Sequence, residues 1–420
     1  MKTFLKVILI LLLIVVLLVG AVLGAVEWCL RSDSVKQLVR KGIHDEQGLH
    51  VKDFTISLFR GVSLEGLVVT NRPDIAFVAD SVAVRHRIFP LFRRRIEIAE
   101  IALKKPSLTV PLAASLIPAD VASNPNVLGA PAPLRRNGWE FALDKFSLRD
   151  GSVTLLNASN KPAARLDGVR LDLTPPKSSG AFHAKSLQIG PVTVRDLDAP
   201  LKKTATGGEA APLRGSIAGG TLSGAIIAAS PITNIRLDVR DADVPEMFRQ
   251  SNVPAVLGGK LRATAALEIG DSLNGAGKVE VVGATTAGLP LMGLLSVLLK
   301  EPSLRELKLD ECRMEFNIVT NEMRTPVIRL VSPQVELTGS GAVSLPDGAL
   351  NHDMTLVVSP ELAARAPESI RKAFTARPDG RSAISFHVAG TYNAPKVDLE
   401  DRVLRGVAEK ALGRLQRFLR

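Results

Sequence analysis

Side chains able to carry out chemistry are few and scattered in this chain of 420 residues. The six histidines are His44, His50, His86, His183, His352 and His387. None stands at metal-ligand spacing from another histidine or a cysteine, and His44 and His50 are simpler to interpret as solvated loop side chains than as zinc ligands. The two cysteines, Cys29 and Cys312, are too few for a disulfide framework. These residues therefore predict no metal centre.

Motifs for nucleophilic catalysis or nucleotide binding are absent or incomplete in the sequence. No G-x-S-x-G nucleophile elbow occurs. The run Gly275-Ala276-Gly277 departs from the dinucleotide fingerprint because Glu280 stands where the third glycine belongs, and Gly258-Gly259-Lys260 lacks the first P-loop glycine and the following Ser or Thr. Asp241 and Asp243 could form a metal pair but fit equally well at the wet end of a strand. We predict a protein that is not an enzyme and uses no metal or cofactor.

Charge and composition narrow the function further. The chain has 53 Lys and Arg against 42 Asp and Glu, a net charge of +11, and only 4% aromatic residues. So few aromatic side chains argue against stacking platforms for sugars or bases. The basic runs, such as Arg85-His86-Arg87 and Arg93-Arg94-Arg95, lack interleaved aromatic residues, so anionic lipid headgroups match them better than nucleic acid does.

An apolar stretch near the N-terminus predicts a membrane anchor. Every residue of 7–26 except Gly20 and Gly24 is apolar, and twenty residues at helical rise reach about 30 Å, the thickness of the hydrocarbon core. A cleaved signal peptide is the alternative, but its apolar stretch would span about 7–15 residues before a small-x-small site. Lys2 and Lys6 favour a cytoplasmic arm. We therefore expect a single-pass protein with the bulk of its chain outside the cytoplasm.

Alternation of apolar and polar residues is the main signal in the rest of the chain. It predicts roughly twenty antiparallel strands, each with one dry and one wet face. Turn residues such as Pro346-Asp347-Gly348 separate the strands about every 8–12 residues. The selected dry positions are Val169, Leu171, Leu173, Ile235, Leu237, Val239, Met314, Phe316, Ile318, Met354, Leu356, Val358, Ile384, Phe386 and Val388.

Predicted helices are too few to cover such a sheet. They span residues 32–42, 290–300, 360–374 and 401–420. The fold class is therefore mainly β: a transmembrane helix, then a long antiparallel sheet that must curl into an open groove or a flattened sandwich, with a few short helices. The C-terminal helix is amphipathic, and could lie on a membrane or pack on the end of the sheet. Its candidate membrane-surface residues are Arg402, Arg405, Lys410, Arg414, Arg417 and Phe418.

The same patterns divide the chain into eight regions. They are a cytoplasmic arm (1–6), the transmembrane helix (7–26), an N-terminal β region (32–111), a Pro/Ala-rich loop (112–138), a middle β region (139–200), a linker (201–214), a C-terminal β region (215–400) and the basic helix (401–420). Because the alternation resumes in the same style after the loop and after the linker, we do not expect independent domains.

Several segments carry a resemblance to a known family. They are FTISLFRGVSLEGLVV at 54–69, FPLFRRRIEIAEIALKKPSL at 89–108, and the segments 219–224, 305–318, 339–345 and 390–399. In this order they resemble the AsmA-like family of inner-membrane-anchored periplasmic proteins, the first being similar to its first hairpin and the second to its recurring turn-strand unit. The resemblance covers most of the chain.

The resemblance implies a non-enzymatic lipid-handling protein of the bacterial envelope. It would bind phospholipid acyl chains in an apolar β-groove lined by the dry positions above, and aid phospholipid transport between inner and outer membranes. It further implies an inner-membrane location with most of the chain in the periplasm, and outer-membrane or periplasmic proteins as further candidate partners. The alternation itself leaves a second hypothesis open, a periplasmic assembly or scaffold factor with a dry packed β core.

Overall fold

The structure is a computed structural model that describes residues 49–399, apart from 73–74, 91–94, 112–139, 158–159, 191, 230, 251–254, 287–292, 294–295, 297–300, 367 and 392–393. The predicted transmembrane helix, the helix at 32–42 and the basic C-terminal helix with its six candidate residues lie outside the described residues, as does nearly all of the helix predicted at 290–300. No helix within the described ranges is both long and apolar enough to cross a bilayer.

The described chain is mainly β, as predicted. Its strands are β1 (Leu49–Ser57), β2 (Gly61–Arg72), β3 (Ile75–Arg87), β4 (Arg95–Lys104), β5 (Ser107–Pro111), β6 (Glu140–Leu143), β7 (Phe146–Leu156), β8 (Pro162–Thr174), β9 (Ser179–Ile189), β10 (Val192–Lys203), β11 (Gly207–Ile217), β12 (Gly220–Ala229), β13 (Ile232–Asp243), β14 (Leu257–Ile269), β15 (Leu273–Thr286), β16 (Glu311–Val319), β17 (Glu322–Val331), β18 (Val335–Ser344), β19 (Leu350–Val358), β20 (Thr375–Ala376), β21 (Ser382–Thr391) and β22 (Ala394–Val397). Its α-helices are α1 (Val244–Gln250), α2 (Pro360–Arg365) and α3 (Glu368–Arg371), and its 3-10 turns are Pro175–Lys177 and Pro302–Arg305.

The chain divides into two compact units near residues 190–211. Unit 1 contains residues up to 190 together with 195–210, and unit 2 contains 191–194 and the residues from 211 onward. Strands β10 and β11 therefore contribute residues to both units. The predicted linker at 201–214 is mostly strand, since only residues 204–206 separate β10 from β11.

Unit 1 contains parallel as well as antiparallel pairings. Strands β1, β2, β3 and β4 pair in sequence order and antiparallel, as do β7, β8 and β9. In contrast, β6 and β7 run parallel to β4, and β7 runs parallel to β5. The prediction of a wholly antiparallel sheet is wrong here. The physical reason is the long connection between β5 and β6, because parallel pairing needs a crossover of a dozen or more residues whereas antiparallel pairing needs only a tight turn.

Unit 2 is an antiparallel succession of strands. From β12 to β19 each strand pairs with the next one in sequence, and β19 then pairs with β21, which also pairs with β20 and β22. Two short helices, α2 and α3, stand where one helix was predicted over 360–374. The break follows from Pro367, because the residue before a proline disfavours helical geometry, and Ala366 has extended angles (φ −63°, ψ 140°).

One hydrophobic core, the buried cluster, lies in unit 2. It combines dry positions of β18, β19 and β21 with residues of α1, α2 and the segment around the Pro302–Arg305 turn. Its members are Val244, Val281, Ala284, Leu304, Leu307, Leu309, Val335, Leu337, Met354, Leu356, Val358, Leu362, Ala366, Ile384, Phe386 and Leu399. The helices and the turn segment are therefore used to cover one part of the sheet's apolar face.

Candidate functional site

An apolar face runs across four neighbouring strands of unit 2 beside the buried cluster. The pairing registers align its residues in rows, one of which joins Leu237, Ala265, Gly277 and Phe316. We call this face the apolar strip, consisting of Ile235, Leu237, Val239, Ala263, Ala265, Leu267, Gly275, Gly277, Val279, Met314, Phe316 and Ile318. At about 4.8 Å between strands and about 7 Å between rows, the strip covers about 14 Å in each direction.

The strip is half-buried, unlike the cluster beside it. Ile318 is buried, whereas Leu237, Val239, Met314 and Phe316 keep intermediate exposure. None of the strip's residues belongs to the buried cluster. Apolar side chains that retain solvent access across several strands mark a candidate binding surface.

Two glycines in the middle of the strip leave space for the large side chains of neighbouring strands. A Cβ atom added at Gly277 would overlap the Phe316 ring, and one added at Gly275 would lie 2.8 Å from the Leu267 Cδ2 atom. The large side chains therefore extend sideways over a neighbouring glycine. In the sequence, Gly275 and Gly277 stood out only as part of an incomplete dinucleotide-binding motif. Their structural role depends on the residues that pair with them on the neighbouring strands, and the local sequence does not show that pairing.

The opposite face of the same strands is charged. Arg240 bonds Asp238 on its own strand at 2.8 Å, and this bond lowers the pKa of Asp238. Asp241 pairs with Arg262 at 3.2 Å. Asp243 pairs with Lys260 at 3.0 Å and accepts a hydrogen bond from the Glu246 backbone at the start of α1. Each of the two aspartates considered as metal ligands thus has its own cationic partner.

The structure separates the predicted dry positions into three groups. Those on β13 and β16 form the strip: Ile235, Leu237, Val239, Met314, Phe316 and Ile318. Those on β19 and β21 that belong to the buried cluster are Met354, Leu356, Val358, Ile384 and Phe386. Val388, also on β21, is partly buried and packs against the cluster. Those on β8 belong to unit 1, where Val169 is buried and Leu171 and Leu173 are half-buried. The first group lies on a face that is apolar and partly accessible across four adjacent strands, whereas Leu171 of the third group aligns with half-buried Leu148 and Phe182 on its two neighbouring strands.

A buried polar pair escaped the sequence analysis. Thr325 Oγ1 and His352 Nε2 lie 2.9 Å apart on the apolar face, on either side of Gly341 in the strand between them. Both side chains are buried. The sequence did contain a signal for this pair, since His352 occupies a dry position of the alternation that also includes Met354 and Leu356. Because the pair satisfies both polar groups, it lets an ionisable side chain remain inside the sheet's apolar face.

The burial of His352 should make the stability of the protein depend on pH. Burial is the main cause that lowers the pKa of His352 below the ordinary 6.5, and the nearby His387 lowers it further. The Asp353 carboxylate has a smaller effect, which raises the pKa. The unfolded chain therefore binds the proton more tightly, so the free energy of unfolding should fall as pH drops below about 6.5. In urea titrations between pH 7.5 and 5, His352→Gln should have a shallower dependence than the unchanged protein.

A second histidine provides the control for this experiment. His183 in unit 1 lies partly exposed beside Asp198, 2.8 Å from its carboxylate. His183→Gln should keep the acid-side loss of stability that is due to His352. An unchanged slope in His352→Gln would contradict the assignment.

Within the described ranges, no group of three or more His, Cys, Asp or Glu side chains is arranged to hold a metal ion. The Cys312 thiol is half-buried beside the cluster, and burial raises its pKa. A thiol in that state behaves as a small hydrophobe rather than as a nucleophile.

Comparison with known proteins gave no match to any family model, curated protein or solved structure.

Proposed function

We propose that this protein binds phospholipid acyl chains on the apolar strip and aids phospholipid transport between the inner and outer membranes. The observation that carries the proposal is the strip itself, an accessible apolar face across β13–β16 backed by a charged face. The activity needs no covalent step. The proposal includes the inner-membrane anchor at 7–26, a cytoplasmic N-terminus and a periplasmic body, in keeping with the resemblance of the sequence motifs to the AsmA-like family.

The energetics of the strip suit a mobile lipid. Each methylene group that leaves water contributes about 0.8 kcal/mol, so even part of an acyl chain gains several kcal/mol. The strip's side chains are all apolar, and directional hydrogen bonds that would hold a lipid at one place are therefore missing from it. An aliphatic surface of this kind favours binding without fixing the position of the ligand, which is what transport along a surface requires.

The buried cluster favours the second candidate, an assembly or scaffold factor. Leu356 is 0% exposed and belongs to the same buried cluster as residues of α1 and α2. That part of unit 2 is a dry core, which fits a scaffold as well as a lipid carrier. The two hypotheses differ in what contacts the strip: acyl chains in the first, and no lipid in the second.

Photo-crosslinking on the strip tests the proposal. A photoreactive amino acid at Leu237 or Phe316 in the full-length protein, expressed in a bacterial envelope, should yield phospholipid adducts detectable by mass spectrometry. The neighbouring residues Arg236 and Glu315 alternate to the charged face and are the matched controls. Equal adduct yields on both faces, or no phospholipid at Leu237 and Phe316, would contradict lipid binding and support the scaffold hypothesis.

A further inference from the structure

Two exposed phenylalanines lie at one end of the unit 1 sheet. Phe59 is 54% exposed in the turn between β1 and β2, and Phe89 is 86% exposed just after β3. Because β1 to β4 are antiparallel neighbours, the β1–β2 turn and the β3–β4 connection lie at the same end of the strands. No other phenylalanine whose side chain the structure describes is exposed. The end of the unit 1 strands therefore presents two aromatic rings to the solvent.

Arginines at the same end present positive charge to the solvent. Arg85 pairs with Glu100 at 3.3 Å, and the arginine side chain is 67% exposed against 20% for the glutamate. Arg87 pairs with Glu97 at 3.3 Å and with Asp144 at 2.8 Å, and its side chain is 57% exposed against 16% for the glutamate and 35% for the aspartate. The carboxylates are thus held inward and the guanidinium groups outward, so the outermost layer of this end is cationic although its charges are partly paired.

The turn carrying Phe59 and Arg60 is held in place by the Ser57 side chain and by close contact with β3. Ser57 Oγ accepts hydrogen bonds from the backbone N–H groups of Phe59 at 3.3 Å and Arg60 at 3.0 Å. Gly61 has φ +88°, and a Cβ atom there would overlap the Val84 carbonyl oxygen of β3. The turn therefore lies closely against β3, and its backbone holds Phe59 and Arg60 at this end of the sheet.

A hollow of about 940 Å³ lies between this turn and the end of β3. Its lining includes Thr55, Ser57, Phe59, Arg60, Arg85 and His86. Guanidinium and hydroxyl groups are the donors that bind phosphate oxygens, and the aromatic ring adds an apolar side. The volume is at the upper end of the range of small-molecule sites, and suits a lipid headgroup.

We propose that this end of unit 1 docks on the surface of an anionic phospholipid bilayer. We call it the basic tip, consisting of Phe59, Arg60, Arg85, His86, Arg87 and Phe89. The two phenylalanine rings enter the interface between headgroups and acyl chains, and the arginines contact the phosphates. Charge complementarity identifies the partner as a negatively charged surface, and the exposed rings identify it as one with an apolar interior.

The chain length permits the basic tip to reach the membrane of the predicted anchor. Twenty-two residues, 27–48, separate the apolar stretch from β1. Fully extended they span at most about 75 Å, whereas β1 itself is about 30 Å long. The basic tip, at the far end of β1, can therefore contact the same bilayer in which residues 7–26 are expected to lie.

Lipid adducts at the basic tip provide the test. The full-length protein is reconstituted in vesicles of phosphatidylcholine with or without phosphatidylglycerol, with a photoreactive residue at Phe59, Phe89 or Ile189. Ile189 is the control, since it is equally exposed at 54% but ends β9 at the opposite end of the unit 1 strands. We expect phospholipid adducts at Phe59 and Phe89 in anionic vesicles, at least about tenfold above Ile189. Yields equal to those at Ile189 would overturn the proposal.

The charge requirement is tested separately. Arg60→Gln should lower the adduct yield at Phe59 in anionic vesicles about fivefold, and should have little effect in phosphatidylcholine alone. Adducts at Leu237 should be unchanged, which distinguishes failure of the basic tip from failure of lipid binding on the strip. Crosslinks from Phe59 or Phe89 to a protein or nucleic acid in cell envelopes, without lipid adducts in vesicles, would overturn the bilayer as the partner.

Discussion

Leu237→Asp should remove most of the phospholipid that purifies with the protein. Leu237 lies in the middle row of the apolar strip, next to Ala265 in β14. A carboxylate placed there would have to lose its water against an acyl chain, which costs several kcal/mol without a partner, so the amount of bound lipid should fall at least about tenfold. The measurement is phospholipid per protein after solvent extraction, quantified by mass spectrometry.

Two further variants keep this result interpretable. Arg236→Asp introduces the same carboxylate one residue earlier, where alternation directs it to the charged face, and should leave the lipid content within about twofold. Leu237→Ala shortens the side chain without adding charge and should cause an intermediate loss. If the two aspartate variants lost lipid equally, or if neither did, the strip would not be the binding surface.

Leu356→Ala should lower the free energy of unfolding by about 2–5 kcal/mol, because it removes methyl groups from a filled core and leaves a cavity. Leu356 is 0% exposed within the buried cluster. Chemical denaturation of the full-length protein in detergent measures the change. The lipid content of the folded protein should stay unchanged, because the cluster is packed with protein side chains.

Ile227→Ala is the matched comparison for this core position. Ile227 is 37% exposed on β12, so the same kind of truncation should cost less than about 1 kcal/mol. A small effect of Leu356→Ala, close to that of Ile227→Ala, would mean that Leu356 lines an open groove after all. A large effect assigns β19 and β21 to the core, in contrast to the half-buried strip on β13–β16.

The strands themselves were readable from the sequence. Cys312, Met314, Phe316 and Ile318 alternate with polar residues, and β16 spans Glu311–Val319. A strand directs successive side chains to opposite faces, so alternation reports directly which residues share a face. The same local rule could not reveal the parallel pairings of β6 and β7, because their partners depend on the path of a long connection and not on the strand's own residues.

What covers an apolar face is a different kind of information. Leu237 and Leu356 occupy equivalent dry positions in the alternation, yet the first is half-buried and the second fully buried. The difference arises from residues distant in sequence, such as Leu304 and Leu362, which belong to the same buried cluster as Leu356. Period-two alternation contains no information on such contacts, so it placed both positions on a dry face and left open whether that face is a groove or a packed core.

For this protein, the sequence alone determined a mainly β chain, the residues of each apolar face and the scarcity of catalytic side chains, because these depend on residue type and on spacing along one strand. Only the tertiary structure decided which part of the apolar face is a packed core, why Gly277 lies opposite Phe316, and that Phe59 and Phe89 lie at the same end of the unit 1 strands. Each of these depends on register and packing between segments far apart in sequence, where side-chain volume and solvent access are set by neighbours that no local pattern specifies.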